Sequence, residues 1–292
     1  MPSIIKINLM KKIVLALFTI VISSSLAAQV KAPAPSPAGK NIQKVGMTTV
    51  TLEYSRPGVK ERIIFGELVP YGEIWRTGAN KNTMVTIDTE IIIAGQELKA
   101  GTYAIYTIPN KDSWDILFYT DSENWGTPKN WDESKIAVKT TVKPLPMPFN
   151  VESLTLDFNK IKASSAHLEI LWEKTYIAIP FEVPTDRIVM KSIETTMKND
   201  PKTNDYYAAA VYYLNADKDI KQAEKWIDKA VNAQKKNPKF YVLRKQSLIH
   251  AKAGDIKGAI KAAKQSLQLA QKANNRDYIN MNNASLKEWG AE

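Results

Sequence analysis

Residues 177–198 read Ile-Ala-Ile-Pro-Phe-Glu-Val-Pro-Thr-Asp-Arg-Ile-Val-Met-Lys-Ser-Ile-Glu-Thr-Thr-Met-Lys. Up to Pro184 the large apolar residues Ile177, Ile179 and Phe181 occupy every second position, the period of a strand with one buried face. Beyond it the alternation stops, and Thr185-Asp186 offers an N-cap for a helix over Arg187 to Lys198. Composition turns at the same place. Of the 15 Pro, 13 lie before residue 185, as do nine of the 12 Gly; the remainder of the chain is rich in Ala, Lys, Gln and Leu, residues that suit a helix. The stretch therefore predicts a multidomain chain, β first and α second.

Moving toward the N-terminus, the two-residue period recurs. It appears at Thr48, Val50, Leu52 and Tyr54, at Val85 and Ile87, at Tyr103 and Ile105, and at Trp114, Ile116 and Phe118. Further on come Ile136, Val138 and Val142, then Leu154, Leu156 and Phe158, then Leu168, Ile170 and Trp172. Eight or more short strands with Gly, Pro, Asn and Asp between them predict an antiparallel β-sandwich, jelly-roll or immunoglobulin-like, over residues 38–184. Asn110 to Ser113 reads as a hairpin loop, and Lys160-Ile161-Lys162 and Glu173-Lys174 as the turns of a closing meander. Ahead of this domain, residues 29–37 contain Lys31-Ala32-Pro33-Ala34-Pro35-Ser36-Pro37, a Pro/Ala-rich extended tether.

Residues 1–28 have the layout of a secretory signal peptide: Lys11 and Lys12, a ten-residue apolar run from Ile13 to Ile22, then small residues through Ala27 and Ala28. Ten residues are too few for a permanent span, which takes roughly 20. The expectation is an exported chain, periplasmic or secreted, with no membrane span after processing and cleavage within Ala27 to Gln29. Its 292 residues contain no Cys and two His. That removes a thiol nucleophile, a disulfide framework and a Cys/His zinc site.

Toward the C-terminus, residues 185–292 contain a repeat. Asp219-Ile220-Lys221-Gln222-Ala223 returns as Asp255-Ile256-Lys257-Gly258-Ala259, 36 residues later, and each copy opens a long helix preceded by a shorter one. Ala223 and Ala230 match Ala259 and Ser266, small residues where two helices cross closely. The segment resembles the tetratricopeptide repeat, with His250 standing where that family prefers an aromatic, and Asn275 to Trp289 reads as a capping helix.

The net charge of +10 is unevenly spread. Residues 29–184 hold 17 Lys and Arg against 18 Asp and Glu, whereas residues 185–292 hold 20 against 12. Lys221, Lys225, Lys229, Lys257, Lys261 and Lys264 crowd the two hairpins. They read either as a solvated helix face or as an electrostatic footprint for an envelope protein or anionic polymer. An exported chain gives no reason to expect nucleic acid, and the residues do not indicate an oligomeric state.

In the β region the oddity is arginine. Arg56, Arg62 and Arg76 are its three Arg and fall within 21 residues, while its 14 Lys are spread throughout. A guanidinium offers a planar fork of donors suited to carboxylate or phosphate. The clustering predicts a polar ligand-binding site drawn from Arg56, Arg62 and Arg76, with a crevice holding Arg76 and Asn80 and at least two of Tyr71, Trp75 and Trp125; Trp131 is a further flat face. The competing reading is internal: Glu53, Glu61, Glu67 and Glu73 lie in the same stretch and would pair with the arginines to hold loops together. Trp75, Trp114 and Trp172 also read as core aromatics, since each sits in or beside an alternating pattern.

Several pieces taken together resemble a known family. They are Tyr54-Ser55-Arg56-Pro57, Ile64-Phe65-Gly66, Leu68-Val69-Pro70-Tyr71-Gly72, Trp75-Arg76-Thr77-Gly78-Ala79-Asn80, Ala100-Gly101-Thr102-Tyr103, Ile108-Pro109 and Trp125-Gly126. Over about residues 34–182 the chain is similar to the exported bacterial family known as domain of unknown function 2911. The resemblance implies an all-β exported domain, often followed by helical repeats, and no catalytic roles. One residue departs from the family pattern: Lys81 comes after Gly-Ala-Asn where an acid is usual.

Enzyme signatures are missing: no Gly-x-Ser-x-Gly, no His-Glu-x-x-His, no phosphate loop and no dinucleotide fingerprint. His167, beside Glu169, and His250 read as structural or solvated. The sequence thus points to a non-enzymatic envelope binding protein with no catalytic residue, cofactor or metal. The alternatives are an envelope hydrolase using a carboxylate pair on sugars or peptides, and a purely structural spacer.

Overall fold

The computed structural model describes residues 32–291. The leader expected at 1–28 and the start of the tether, 29–31, lie outside the described residues. The chain divides into two compact units, the first ending at Val183 and the second starting at Pro184.

The first unit is an antiparallel β region of two sheets. Its strands are β1 (Ala38–Val45), β2 (Thr48–Ser55), β3 (Thr83–Ile87), β4 (Ile91–Ile93), β5 (Gln96–Leu98), β6 (Gly101–Pro109), β7 (Trp114–Tyr119), β8 (Ile136–Val142), β9 (Leu145–Asn159) and β10 (Ser165–Glu182). One sheet runs β1-β2-β3-β6-β7-β8 and the other β5-β4-β10-β9. Along β2, Thr48, Val50, Leu52 and Tyr54 are buried while the residues between them are half-exposed, as the two-residue period requires. The Asn110 to Ser113 loop closes on a bond from the Asn110 N–H to the Ser113 carbonyl. Glu173-Lys174 is not a turn. The two strands expected on either side of it are one strand, β10, and the extra residues are absorbed as irregularities in its pairing with β9 around Glu173.

Apolar side chains from both sheets meet in one core that includes Leu52, Ile105, Ile116, Leu154, Ile170, Ile177 and Ile179. Four aromatics pack together here, Phe65, Trp114 and Trp172 within the core and the partly buried Trp75 against it. Trp75 stacks on Trp172 at 5.6 Å, and Phe65 meets Trp114 edge-on at 4.8 Å and Trp172 at 6.0 Å. Trp114 and Trp172 come from strands, but Phe65 and Trp75 come from residues 56–82, which contain no regular strand. That segment is held in place by reciprocal backbone bonds, Trp75 N–H to the Thr107 carbonyl at 2.8 Å and Thr107 N–H to the Trp75 carbonyl at 2.9 Å. The middle strands of the larger sheet are buried on both faces. Ala104, Tyr106, Leu117 and Tyr119 form a second cluster on the other side, covered by Ile74, Trp131 and Ile136.

The second unit contains six helices: α1 (Thr185–Lys198), α2 (Thr203–Asn215), α3 (Ile220–Ala233), α4 (Phe240–Lys252), α5 (Ile256–Lys272) and α6 (Arg276–Glu288). Helix α1 begins slightly earlier than its expected cap, with Thr185 inside the helix and Pro184 at the N-cap. The repeat is visible in the caps. The Asp219 carboxylate accepts from the N–H groups of Lys221 and Gln222, and Asp255 accepts from Gly258, so both copies open on the same device. Ala223, Ala230, Ala259 and Ser266 are fully buried. Ser266 adds hydrogen bonds that its counterpart Ala230 cannot make, donating to the Phe240 carbonyl and accepting from the buried Asn282 of α6. Among the described residues no helix is long and apolar enough to cross a membrane.

The aromatic cluster gives a direct stability test. Trp114→Ala should cost about 3–5 kcal/mol, read as a lowered urea midpoint in the near-ultraviolet dichroism signal. A loss below about 1 kcal/mol would contradict the placement of this ring at the core.

Candidate functional site

The arginines have no partner in common. Arg56 comes directly after β2 and donates through Nε to the Leu154 carbonyl at 3.0 Å and through Nη2 to Thr155 Oγ1 at 2.8 Å, tying one sheet to β9 of the other. Arg62 donates to the Val59 and Gly58 carbonyls at 3.0 and 2.6 Å, closing its own loop. Both are internal ties, but their acceptors are main-chain and hydroxyl oxygens and not the glutamates that the sequence offered. Arg76 is different. Among the described residues its side chain has no hydrogen bond or ion pair, and its Nε is buried without an acceptor.

The position of Arg76 is set by Trp75. With Trp75 fastened to Thr107 and its ring against the core, the next residue turns to the opposite side. There Arg76 Nη1 lies so close to Gly126 that a Cβ on the glycine would stand 3.3 Å from it, and Gly126 has a φ of +98°. The positive φ favours glycine at this position, and a side chain there would also press on the tip of Arg76. Tyr106 donates its hydroxyl to the Gly126 carbonyl at 3.1 Å, fixing the same loop from below. Burial pushes the Tyr106 phenol up to about 12, against a lowering bond with the Asn124 side chain and a weaker lowering by Arg76, with Asp121 adding to the rise. Asp121, the acid sensed there, is itself paired with Lys135 at 3.2 Å.

Asn82 completes the support. It is buried, its N–H and Oδ1 bond the Asn124 carbonyl and N–H at 3.0 and 2.8 Å, and its Nδ2 donates to the Ser122 carbonyl at 3.0 Å. Lys81 pairs with Glu123 at 2.7 Å and so joins the same loop. Between Asn124 and Gly126, the Trp125 side chain is 80% exposed. A charged fork and an exposed indole are thereby presented by adjoining loops, each anchored by buried bonds. Such an arrangement suits an anion carrying a flat or apolar flank.

The other expected site residues lie elsewhere. Trp75 is partly buried against the core and donates its Nε1 to the Gly78 carbonyl at 3.2 Å. Asn80, at φ +58°, turns its amide to the Ser36 carbonyl and Ser55 Oγ, fastening the end of the tether. Tyr71 lies over Gly66, where a Cβ would stand 2.7 Å from the ring. Of the seven candidate ligand-binding residues, five of them expected to share a crevice, Arg76 and Trp125 are the two that stand at this site. Sequence reading missed Asn82 and Tyr106. Asn82 comes after the Asn80-Lys81 pair with nothing to distinguish it, and Tyr106 looks like one more aromatic of an alternating strand.

In the helical unit Lys221, Lys225, Lys229, Lys257, Lys261 and Lys264 are all exposed. Lys221 pairs with Glu224 at 3.1 Å and Lys229 sits 5.0 Å from the Tyr206 ring centroid. A cleft of about 600 Å³ between α3, α4 and α5 is lined by Lys261 together with Lys235, Asp228, Gln246 and His250. His250 is not a solvated helix residue. Its Nε2 is 2.9 Å from Asp228 and its Nδ1 2.7 Å from Asp255. Asp228, and after it Asp255, raise the imidazole to about 9 against the opposing effect of burial.

The first unit is thus an antiparallel β domain that leaves one arginine unspent beside an exposed tryptophan. The chain belongs to the family described as protein of unknown function (DUF2911), whose model matches residues 36–181, half the chain. No curated protein and no solved structure matches it.

The contrast between two arginines is testable by urea unfolding. Arg56→Met strands two acceptors and should cost roughly 1.5–3 kcal/mol, the range for bonds to a charged group. Arg76→Met should stay within about 0.5 kcal/mol of the parent, because it removes no hydrogen bond. Equal losses for the two would show that Arg76 is also a structural tie.

Proposed function

We propose that the protein is a non-enzymatic exported envelope protein whose β unit binds an anionic ligand at Arg76 and Trp125. The observation that carries this reading is the unpaired state of Arg76 in a fold that spends its neighbouring arginines on carbonyls. A partly buried guanidinium without a partner carries a desolvation cost, which a carboxylate or phosphate from outside would offset. Trp125 supplies a face for a sugar ring or other flat group.

Within this reading the β unit is a sandwich of immunoglobulin-like or jelly-roll type, and the helical unit is a tetratricopeptide-like scaffold engaging a protein or charged polymer. The 36-residue recurrence of capped helices with buried small residues supports the scaffold. Export rests on the leader-like residues 1–28. Repeat arrays present extended surfaces suited to partners, and the excess of 20 basic over 12 acidic residues in 185–292 favours an acidic one.

N-acetylmuramic acid, a carboxylated sugar, and uncharged N-acetylglucosamine make a discriminating pair of probes, titrated while tryptophan emission is monitored. The carboxylated sugar should give a saturable change with the parent chain and at least tenfold weaker binding with Arg76→Met and with Trp125→Ala, both still folded. Binding that is undiminished in both variants, or equal for the two sugars, would defeat the assignment.

A further inference from the structure

Three side chains of the helical unit converge away from the β site. Glu224 of α3, His250 of α4 and Asp255 at the start of α5 each place one ligand atom within 4.8 Å of the other two. His250 Nδ1 is 2.7 Å from Asp255 Oδ2 and 3.7 Å from Glu224 Oε1. Both carboxylates commit their other oxygen to structure. Asp255 Oδ1 accepts the Gly258 N–H at 2.9 Å, and Glu224 Oε2 accepts Lys221 Nζ at 3.1 Å. On the far side of the ring, Nε2 faces Asp228 Oδ1 at 2.9 Å, and that oxygen is itself steadied by Gln246 at 2.7 Å.

The ring is therefore oriented from behind by a carboxylate and aimed at two more, the arrangement found around metal-binding histidines. A proton on Nδ1 can serve Asp255 at 2.7 Å but leaves Glu224 Oε1, at 3.7 Å, beyond hydrogen-bond reach. A divalent ion would engage all three atoms.

Gly258 provides an independent observation. It stands in the first turn of α5, where a Cβ would lie 2.0 Å from Asp255 Oδ2 and 2.6 Å from His250 Nδ1. The missing side chain leaves room for the same two atoms that converge. The corresponding position in the first copy is Gln222, and the counterpart of His250 is Leu214, so the constellation belongs to the junction of the copies and not to the repeat itself. Asp255 is 43% exposed and His250 lines the cleft, which gives an ion a way in.

We propose that Glu224, His250 and Asp255 form a site for a borderline divalent transition ion such as zinc, with Asp228 as the positioning residue behind the ring. One imidazole and two carboxylates suit zinc better than calcium or magnesium, which prefer oxygen alone. Tetrahedral bonds of about 2.0–2.1 Å put ligand atoms roughly 3.3 Å apart, so Asp255 Oδ2 would retreat by a few tenths of an ångström and the ring proton would leave. Three protein ligands keep a fourth position for water or for a donor from the cleft. The expectation of no metal rested on the lack of Cys/His sets and did not weigh a single histidine with acids from two neighbouring helices.

The test is calorimetric titration of zinc chloride into the full chain, without a histidine tag, after chelator treatment and at fixed pH, with a thermal melt alongside. One saturable equivalent and a raised melting temperature are expected. Asp255→Asn retains an equally good helix cap and Glu224→Gln retains shape; each should weaken zinc binding at least tenfold while the circular dichroism spectrum is unchanged. His250→Gln should abolish it. No saturable uptake by the parent, or undiminished uptake in Asp255→Asn and Glu224→Gln, would overturn the proposal.

Discussion

The candidate site of the β unit depends on one indole. Trp75 lies in a segment with no strand of its own, and its ring is stacked on Trp172 while its backbone is exchanged with Thr107 of β6. With that residue fixed, its successor has no freedom of direction: Trp75 faces the core, and Arg76 faces away from it toward Gly126 and Tyr106. The candidate site is thus a by-product of core packing. Its charge follows directly on a residue whose backbone is bonded to β6, which limits the backbone entropy lost when a ligand binds.

Much of the fold was legible from residue order, and the reasons are specific. Strand β2 alternates buried and half-exposed residues because one of its faces meets solvent, so a two-residue period survives in its sequence. Strand β6 is buried on both faces, and Ala104 and Tyr106 blur that signal. The Glu173-Lys174 pair looked like a turn since charged residues interrupted an apolar alternation, whereas a long strand accommodated them by shifting register. Short strands β4 and β5 left no periodic trace of their own, having three residues each.

The site was less legible. Three clustered arginines are a fact of composition, but whether a guanidinium is spent or unspent depends on carbonyls that are 98 positions away for Arg56 and three for Arg62. Spacing cannot distinguish these cases. Asn80 and Asn82 illustrate the same point, one fastening the tether and the other the loop that carries Trp125. In the helices the repeated Asp caps were readable at a spacing of 36, yet the acids around His250 come from two neighbouring helices and break that repeat. A residue that departs from an internal repeat, as His250 and Gly258 both do, is the signal that was present in the sequence.

Native-state hydrogen exchange at the Trp75 and Thr107 amides bears most directly on the claim that an irregular segment is part of the core. If Trp75 is locked to β6, its amide should exchange as slowly as those of Ile105 and Thr107, through the opening of the whole β unit. Exchange of Trp75 at the rate of an exposed loop, with Thr107 still protected, would contradict the claim and detach Arg76 from the scaffold that presents it.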